Sequence, residues 1–348
     1  MSVIAIVVPT VRPEQMAAFR DAWAPLIERH NAVLITVWDG DAPRMTMTHR
    51  VATKGEDLPV GSNLFPDDFY RHVGSLVCRH TRAVCNLGFL LAARMKNVEY
   101  ILTLDDDVAP LPGTDPIQDH LDALNMRVST SWMNTAMPGY TQRIQVGPGP
   151  LATRQSVPHH NHDELLYLRG VPYTVREESP VMVSHGVWVG VPDFDGQTQL
   201  ALSAKGPLPY ELPYYRGPVP AGVYLPFCGM SVMVRREVLP YFYFAPMGPD
   251  SGFPELSRFD DIWMGCLLKD VCDDMRWAMY TGASTILHTR ASDPHKNVAA
   301  ERLGIEWNEH VFGVDRGRRL WPRELCGYWD DYHERSERYA KVVTDMLG

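Results

Sequence analysis

The sequence predicts a doubly wound α/β fold with a mostly parallel sheet. A strand, a helix and a second strand succeed one another within residues 3–41. A further helix and strand repeat the pattern before residue 105. Carboxylates sit just past the ends of two predicted strands, on the rim where such sheets bind ligands. VIAIVV (3–8) is a continuous apolar, β-branched run and reads as a buried strand. Pro13 opens a helix, since proline suits the first turn, and Met16, Phe19, Trp23 and Ile27 give that helix an inner face. AVLITVWDGD (32–41) is the next strand, and the βαβ order implies parallel pairing with a right-handed crossover. A helix over 73–95 and a strand over 99–104 follow.

From 137 to 226 the texture changes to Gly, Pro, His and Tyr, as in PHHNHDE (158–164) and PLPYELPYYRGPVPAGVYLP (207–226). Such composition does not form regular helix and is expected to be an irregular, loop-rich cover over a site. Its HHNHD run (159–163) has no defined ligand spacing and reads as an exposed polar loop. Regular pattern resumes with GMSVMV (229–234), a helix over 261–275 and a closing helix from about 331. In the last, Tyr332, Tyr339, Val342, Val343 and Met346 share a face. Docking on the core is the expectation; a homo-oligomer contact is the alternative. The expected division is one domain over 1–310, carrying the inserted cover, and a helical extension over 311–348.

The 348 residues are 45% apolar and 22% charged, with net charge −9, a globular composition that disfavours nucleic acid as a partner. No apolar run is long enough for a membrane span, and the first stops at Pro9, as a strand rather than a leader would. Six cysteines, none in a CxxC pair, read as free thiols in a reducing compartment, so the cytoplasm is expected. There is no GxGxxG after the first strand and no P-loop, which excludes the common dinucleotide and P-loop sites.

The strand YILTL ends in Asp105, Asp106 and Asp107. Adjacent carboxylates repel unless a cation offsets them. Two of them with a nucleotide diphosphate would build an octahedral Mn²⁺ or Mg²⁺ site; a solvated turn or helix cap is the structural alternative.

The chain resembles the reversibly glycosylated polypeptide family, the UDP-arabinopyranose mutases. The matching segments run in order: IVVPTVR (6–12), WDGD (38–41), TLDDD (103–107), LRGVPYTVRE (168–177), SHGVWVGVPDFDGQTQL (184–200), LPFCGM (225–230), RFDDIWMG (258–265) and HTRASDPHKN (288–297). The resemblance implies a GT-A-like fold, a divalent metal, no flavin, UDP and a UDP-pentose as partners, and reversible self-glycosylation on arginine. It places metal and diphosphate on Asp105, Asp106 and Asp107, with His288 as a third ligand. Asp39 and Arg12 fall at the nucleotide, and His185 is either satisfied in the core or at the pocket. Arg169 falls on the glycosylated position and Arg176 on a second arginine of that segment. On residue chemistry alone both are phosphate clamps, because a guanidinium is almost never neutral. Arg258, Asp260 and Asp261 fall near the sugar, although an Asp pair before a helix is also an ordinary cap. Two departures stand out: the segment between Asn134 and Arg169 is long here, and Cys85 occupies the place of a family arginine. A glycosyltransferase on the same scaffold and a non-catalytic sugar-nucleotide binder are the other functions considered.

Overall fold

The computed structural model describes residues 3–40, 73–131, 170, 179–191, 193–203, 215–289, 293–313 and 322–348, with the backbone of 44–49 and 58–59. The strands are β1 (Val3–Thr10), β2 (Val33–Trp38), β3 (Arg44–His49), β4 (Leu58–Pro59), β5 (Val98–Leu104), β6 (Val108–Pro110), β7 (Arg127–Val128), β8 (Ser179–Gly190), β9 (Gly217–Pro218), β10 (Ser231–Arg235) and β11 (Ala278–His288). The helices are α1 (Pro13–Arg29), α2 (Cys85–Arg94), α3 (Pro116–Leu124), α4 (Gly196–Ser203), α5 (Asp260–Asp274), α6 (Pro294–Val311) and α7 (Arg323–Leu347).

The sheet runs β4-β3-β2-β1-β5-β10-β8-β11-β6, with β7 on β8 and β9 on β11. Strands β2, β1 and β5 pair in parallel, as do β8 and β11. Strand β10 runs antiparallel to both β5 and β8, so it joins the two parallel groups with their directions aligned. Five central strands therefore point the same way, and their carboxyl ends form one rim.

Strand alternation sorts the apolar residues to two faces. Val3, Ala5 and Val7 join a core with α2, α5 and α7, while Ile4, Ile6 and Val8 join another with Met16, Phe19, Trp23 and Ile27 of α1. Because both faces are covered, the central strands read as continuous hydrophobic runs.

The structure corrects three expectations. The stretch 137–226 contains β8, a 12-residue strand in the centre of the sheet, and the short helix α4. Serine, histidine and glycine in SPVMVSHGVWVG dilute a signal whose residues are nonetheless buried on both faces. The helix over 73–95 is only Cys85–Arg94. Upstream, Asp250 binds both the backbone N–H and the guanidinium of Arg79, and Asp39 Oδ1 accepts the His80 N–H (3.0 Å), which holds the backbone out of a helix. The closing helix begins at Arg323 rather than near 331, and it docks on the core as expected: α7 buries Leu325, Tyr328, Trp329, Tyr332, Tyr339 and Val343. None of the six cysteines is in a disulfide, and no helix among the described residues is long and apolar enough to cross a membrane.

Candidate active site

A cavity of about 1020 Å³ opens beyond the rim, lined by Arg12, His80, Arg82, Asp105, Asp107, Trp188, Asp193, Phe227, Cys228, Arg258, Asp260, Asp261, His288 and Glu301, among others. Sheet register assembles it. Thr10, Leu104 and Gly190 end parallel strands, Ser231 starts β10 opposite Leu104, and His288 pairs with both Gly190 and Val108.

The aspartates are answered first by arginine. The Arg12 guanidinium bonds both oxygens of Asp106 and reaches Asp107 Oδ2 at 3.1 Å. Burial works against the Arg12 charge, but the two carboxylates outweigh it and raise its pKa. Asp106 is 3% exposed and also accepts from Thr10 Oγ1 (2.6 Å). It stands behind the cavity wall, not in it, and both its oxygens are already used. Asp107 Oδ1 lies 3.9 Å from His288 Nε2. The His288 ring is set by Nδ1, which donates to the Val191 carbonyl (2.8 Å) and leaves Nε2 on the Asp107 side. Thr289 N and Oγ1 both donate to the Asp107 carbonyl (3.0 and 2.8 Å) and lock the two strand ends together. One carboxylate oxygen and one imidazole nitrogen at this separation are a donor pair that could hold a Mn²⁺ or Mg²⁺ ion. Among the described residues no third His, Cys, Asp or Glu joins them.

Asp105 pairs with Arg82 Nη1. Arg82 also donates to Thr103 Oγ1 (3.2 Å) and to the Gly229 carbonyl, packs over the Phe244 ring and stands 3.8 Å from Asp261. Burial presses its pKa down, and its anionic neighbours hold it above the ordinary value. Arg82 was not among the residues expected here. Its signal lay in the departure at Cys85: the Cys85 thiol also bonds Thr103, so positions 82 and 85 reach the same spot.

Asp260 and Asp261 begin α5. Asp260 accepts from the Ala83 N–H (2.8 Å) and is 3% exposed. Burial, then repulsion by Asp261, raises its pKa to about 7. Asp261 accepts from Gly229 N (2.7 Å) and Ile262 N (2.8 Å), and burial raises its pKa too. Asp260 thus fastens α5 to the 82–84 turn, and Asp261 presents the more open carboxylate.

Asp39 and His185 lie outside the cavity lining. Asp39 holds His80, which lines it. His185 is buried, bonds Thr281 Oγ1 (2.9 Å), stacks on Phe227 and accepts the Cys228 N–H (3.4 Å). Burial lowers its pKa to about 4, so it is a neutral support for the wall. Arg169, Arg176 and the insertion between Asn134 and Arg169 lie outside the described residues.

This is an α/β protein of the GT-A-like class, with an arginine- and carboxylate-lined cavity at the carboxyl rim of its sheet. A family model for reversibly glycosylated polypeptides matches residues 2–320. UDP-arabinopyranose mutase 3 of Arabidopsis thaliana is 30% identical over 352 residues, covering 99% of this chain and 84% of that protein. UDP-arabinopyranose mutase 1 of Oryza sativa subsp. japonica is 29% identical over 352 residues, with the same coverage. The probable UDP-arabinopyranose mutase 1 of Solanum tuberosum is 28% identical over 345 residues (98% and 84%). The chain belongs to the reversibly glycosylated polypeptide family.

Proposed function

We propose that this protein interconverts UDP-arabinopyranose and UDP-arabinofuranose through a transient glycosyl group on Arg169, with a divalent metal. The convergence of Asp107, His288, Arg12 and Asp261 in one cavity, in a chain whose full-length relatives bear the mutase name, carries the reading. Asp107 and His288 would hold Mn²⁺ or Mg²⁺, whose charge would stabilise the departing diphosphate. Arg12 keeps the Asp106–Asp107 turn in place, and Arg82 does the same for Asp105. Asp39 sets the nucleotide end through His80.

An Arg169 nitrogen attacks C1 of the pentose. The C1–O bond breaks, its electron pair leaves with the β-phosphate oxygen of UDP, and the guanidinium proton passes to a carboxylate, Asp261. A covalent intermediate divides the exchange into two displacements. While the sugar rides on arginine, the ring oxygen leaves C1 and takes a proton. The 4-hydroxyl loses one and adds to C1, which closes the five-membered ring. UDP then attacks C1 and frees Arg169. Arg176 clamps the detached diphosphate.

The test incubates the protein with Mn²⁺ and UDP-arabinofuranose and follows nucleotide sugars by chromatography and the protein by intact mass. UDP-arabinopyranose and a pentose adduct are expected, both abolished by Arg169→Ala and by chelation. Conversion that survives Arg169→Ala removes the covalent step. UDP release to an added acceptor without isomerisation replaces mutase with glycosyltransferase.

A further inference from the structure

Four non-glycine residues among those described have left-handed φ: Asn31 (47°), His80 (59°), Arg258 (66°) and Arg276 (54°). Two have an ordinary cause. Asn31 and Arg276 close α1 and α5, where Ala32 N returns to the Ile27 carbonyl (2.9 Å) and Trp277 N to the Cys272 carbonyl (2.8 Å). His80 and Arg258 close no α-helix, and both line the cavity. Strain of this kind persists only where the surroundings impose it, and it concentrates at binding sites.

The surroundings of Arg258 are built to impose it. Its Nε donates to Glu301 Oε1 (2.9 Å), and the second Glu301 oxygen accepts the Gly196 N–H (2.7 Å). Glu301 is 5% exposed, so a buried carboxylate spends both oxygens on this bracket. Ser257 Oγ is fixed to the Ala300 carbonyl (3.3 Å). At Gly196 a Cβ would meet Val298 N at 2.6 Å, so only glycine lets α4 approach α6 closely enough for Glu301 to span them. The bracket uses one edge of the guanidinium. The Arg258 side chain is 37% exposed, and its Nη1 and Nη2 have no partner among the described residues. Two N–H groups on adjacent nitrogens match two neighbouring acceptor oxygens on one ligand.

We propose that Arg258, held in a left-handed conformation by the Glu301 bracket, binds two neighbouring oxygens of the UDP-pentose. This rests on the nucleotide-sugar reading of the cavity. The oxygens are either of the diphosphate or of a vicinal diol of the pentose, and the same experiment separates them.

Calorimetric Kd for UDP and for UDP-arabinopyranose, with KM and kcat, is measured for wild type, Arg258→Lys, Arg258→Ala, Arg258→Gly and Glu301→Gln. Losing a charge-assisted bond pair weakens binding about ten- to a hundredfold, so KM rises by that factor in the Arg258 variants and less in Glu301→Gln, with kcat changed little. Equal loss for UDP and UDP-arabinopyranose assigns the diphosphate; loss confined to UDP-arabinopyranose assigns the diol. Arg258→Ala and Arg258→Gly both lose the ion pair, but only glycine relieves the backbone, so the glycine variant has the higher thermal midpoint. Kd and KM within twofold of wild type, with only the midpoint lowered, overturn the proposal, and Arg258→Lys gives that answer even if the smaller side chains prevent folding. A wild type that binds neither nucleotide would overturn the reading of the cavity itself, which is seen before any variant is made.

Discussion

Arg82 is a buried guanidinium between two acidic groups, Asp105 on one side and Asp261 on the other. Removing such a partner leaves carboxylates desolvated without a counter-charge, which costs about 3–5 kcal/mol. Arg82→Ala is therefore expected to lower the unfolding free energy, measured by denaturant titration, by an amount in that range and to cut kcat/KM. Cys85→Arg added to Arg82→Ala should restore part of both, because both positions reach Thr103. A double variant no better than the single one would show that Arg82 acts through its own turn rather than through its charge. At this scale the sequence pointed to Asp107, His288, Asp261 and Arg12, all of which line the cavity, because each belongs to a motif at a strand or helix end. It did not disclose Arg82, since HTRAVC carries no pattern of its own. Nor did it show that Asp106 would stand behind the wall or decide between core and pocket for His185, since burial depends on residues far away in the chain.

Helix α5 carries its pair of aspartates on the first turn and a close-packing glycine on the second. A Cβ at Gly265 would lie 2.6 Å from Phe227 N and 2.5 Å from the Phe227 ring, so α5 and the 226–229 wall are in direct backbone contact. Gly229 N donates to Asp261 and Ala83 N to Asp260. Gly265→Val should push α5 off this wall, costing about 1–3 kcal/mol by overpacking and moving Asp261 relative to Cys228. Both the thermal midpoint and KM should change; a variant that loses stability with KM intact would mean that the wall does not set the position of Asp261. The strand–helix–strand start was legible because two continuous β-branched runs flank an apolar stripe of helical period, and α5 because an aspartate pair opens it. Strand β8 was not, because Ser184, His185 and Gly186 interrupt it. They sit there for tertiary reasons: Ser184 bonds His120 and His185 bonds Thr281.

The molecule as a whole is a sheet of aligned strands whose rim makes the site, and that much follows from the βαβ order and the position of the carboxylates. What the sequence could not place was the join between its two halves, because β10 enters antiparallel and is held by contacts distant in the chain. One of these is His120, fully buried between Ser184 Oγ (2.8 Å) and Ser231 Oγ (3.0 Å), which ties α3 to β8 and β10. Burial, then the nearby His185, lowers its pKa to about 3, against an ordinary value of 6.5. Below pH 6.5 the unfolded chain takes up a proton that the native imidazole refuses, so its contribution to stability is intact above 6.5 and is lost as pH falls toward 3. His185, at about 4, acts with the same sign. Asp260 acts with the opposite sign, since its raised pKa of about 7 makes the native state keep a proton that the unfolded chain releases near 3.8, and stability falls as pH rises between them. Comparing His120→Gln with wild type isolates one term from this sum. Wild type should lose on the order of 3 kcal/mol more than the variant in urea unfolding between pH 7 and pH 4, so the two curves converge on acidification. Parallel curves over that range would mean that His120 takes up its proton in the folded protein, and that the join between the halves of the sheet tolerates a charge.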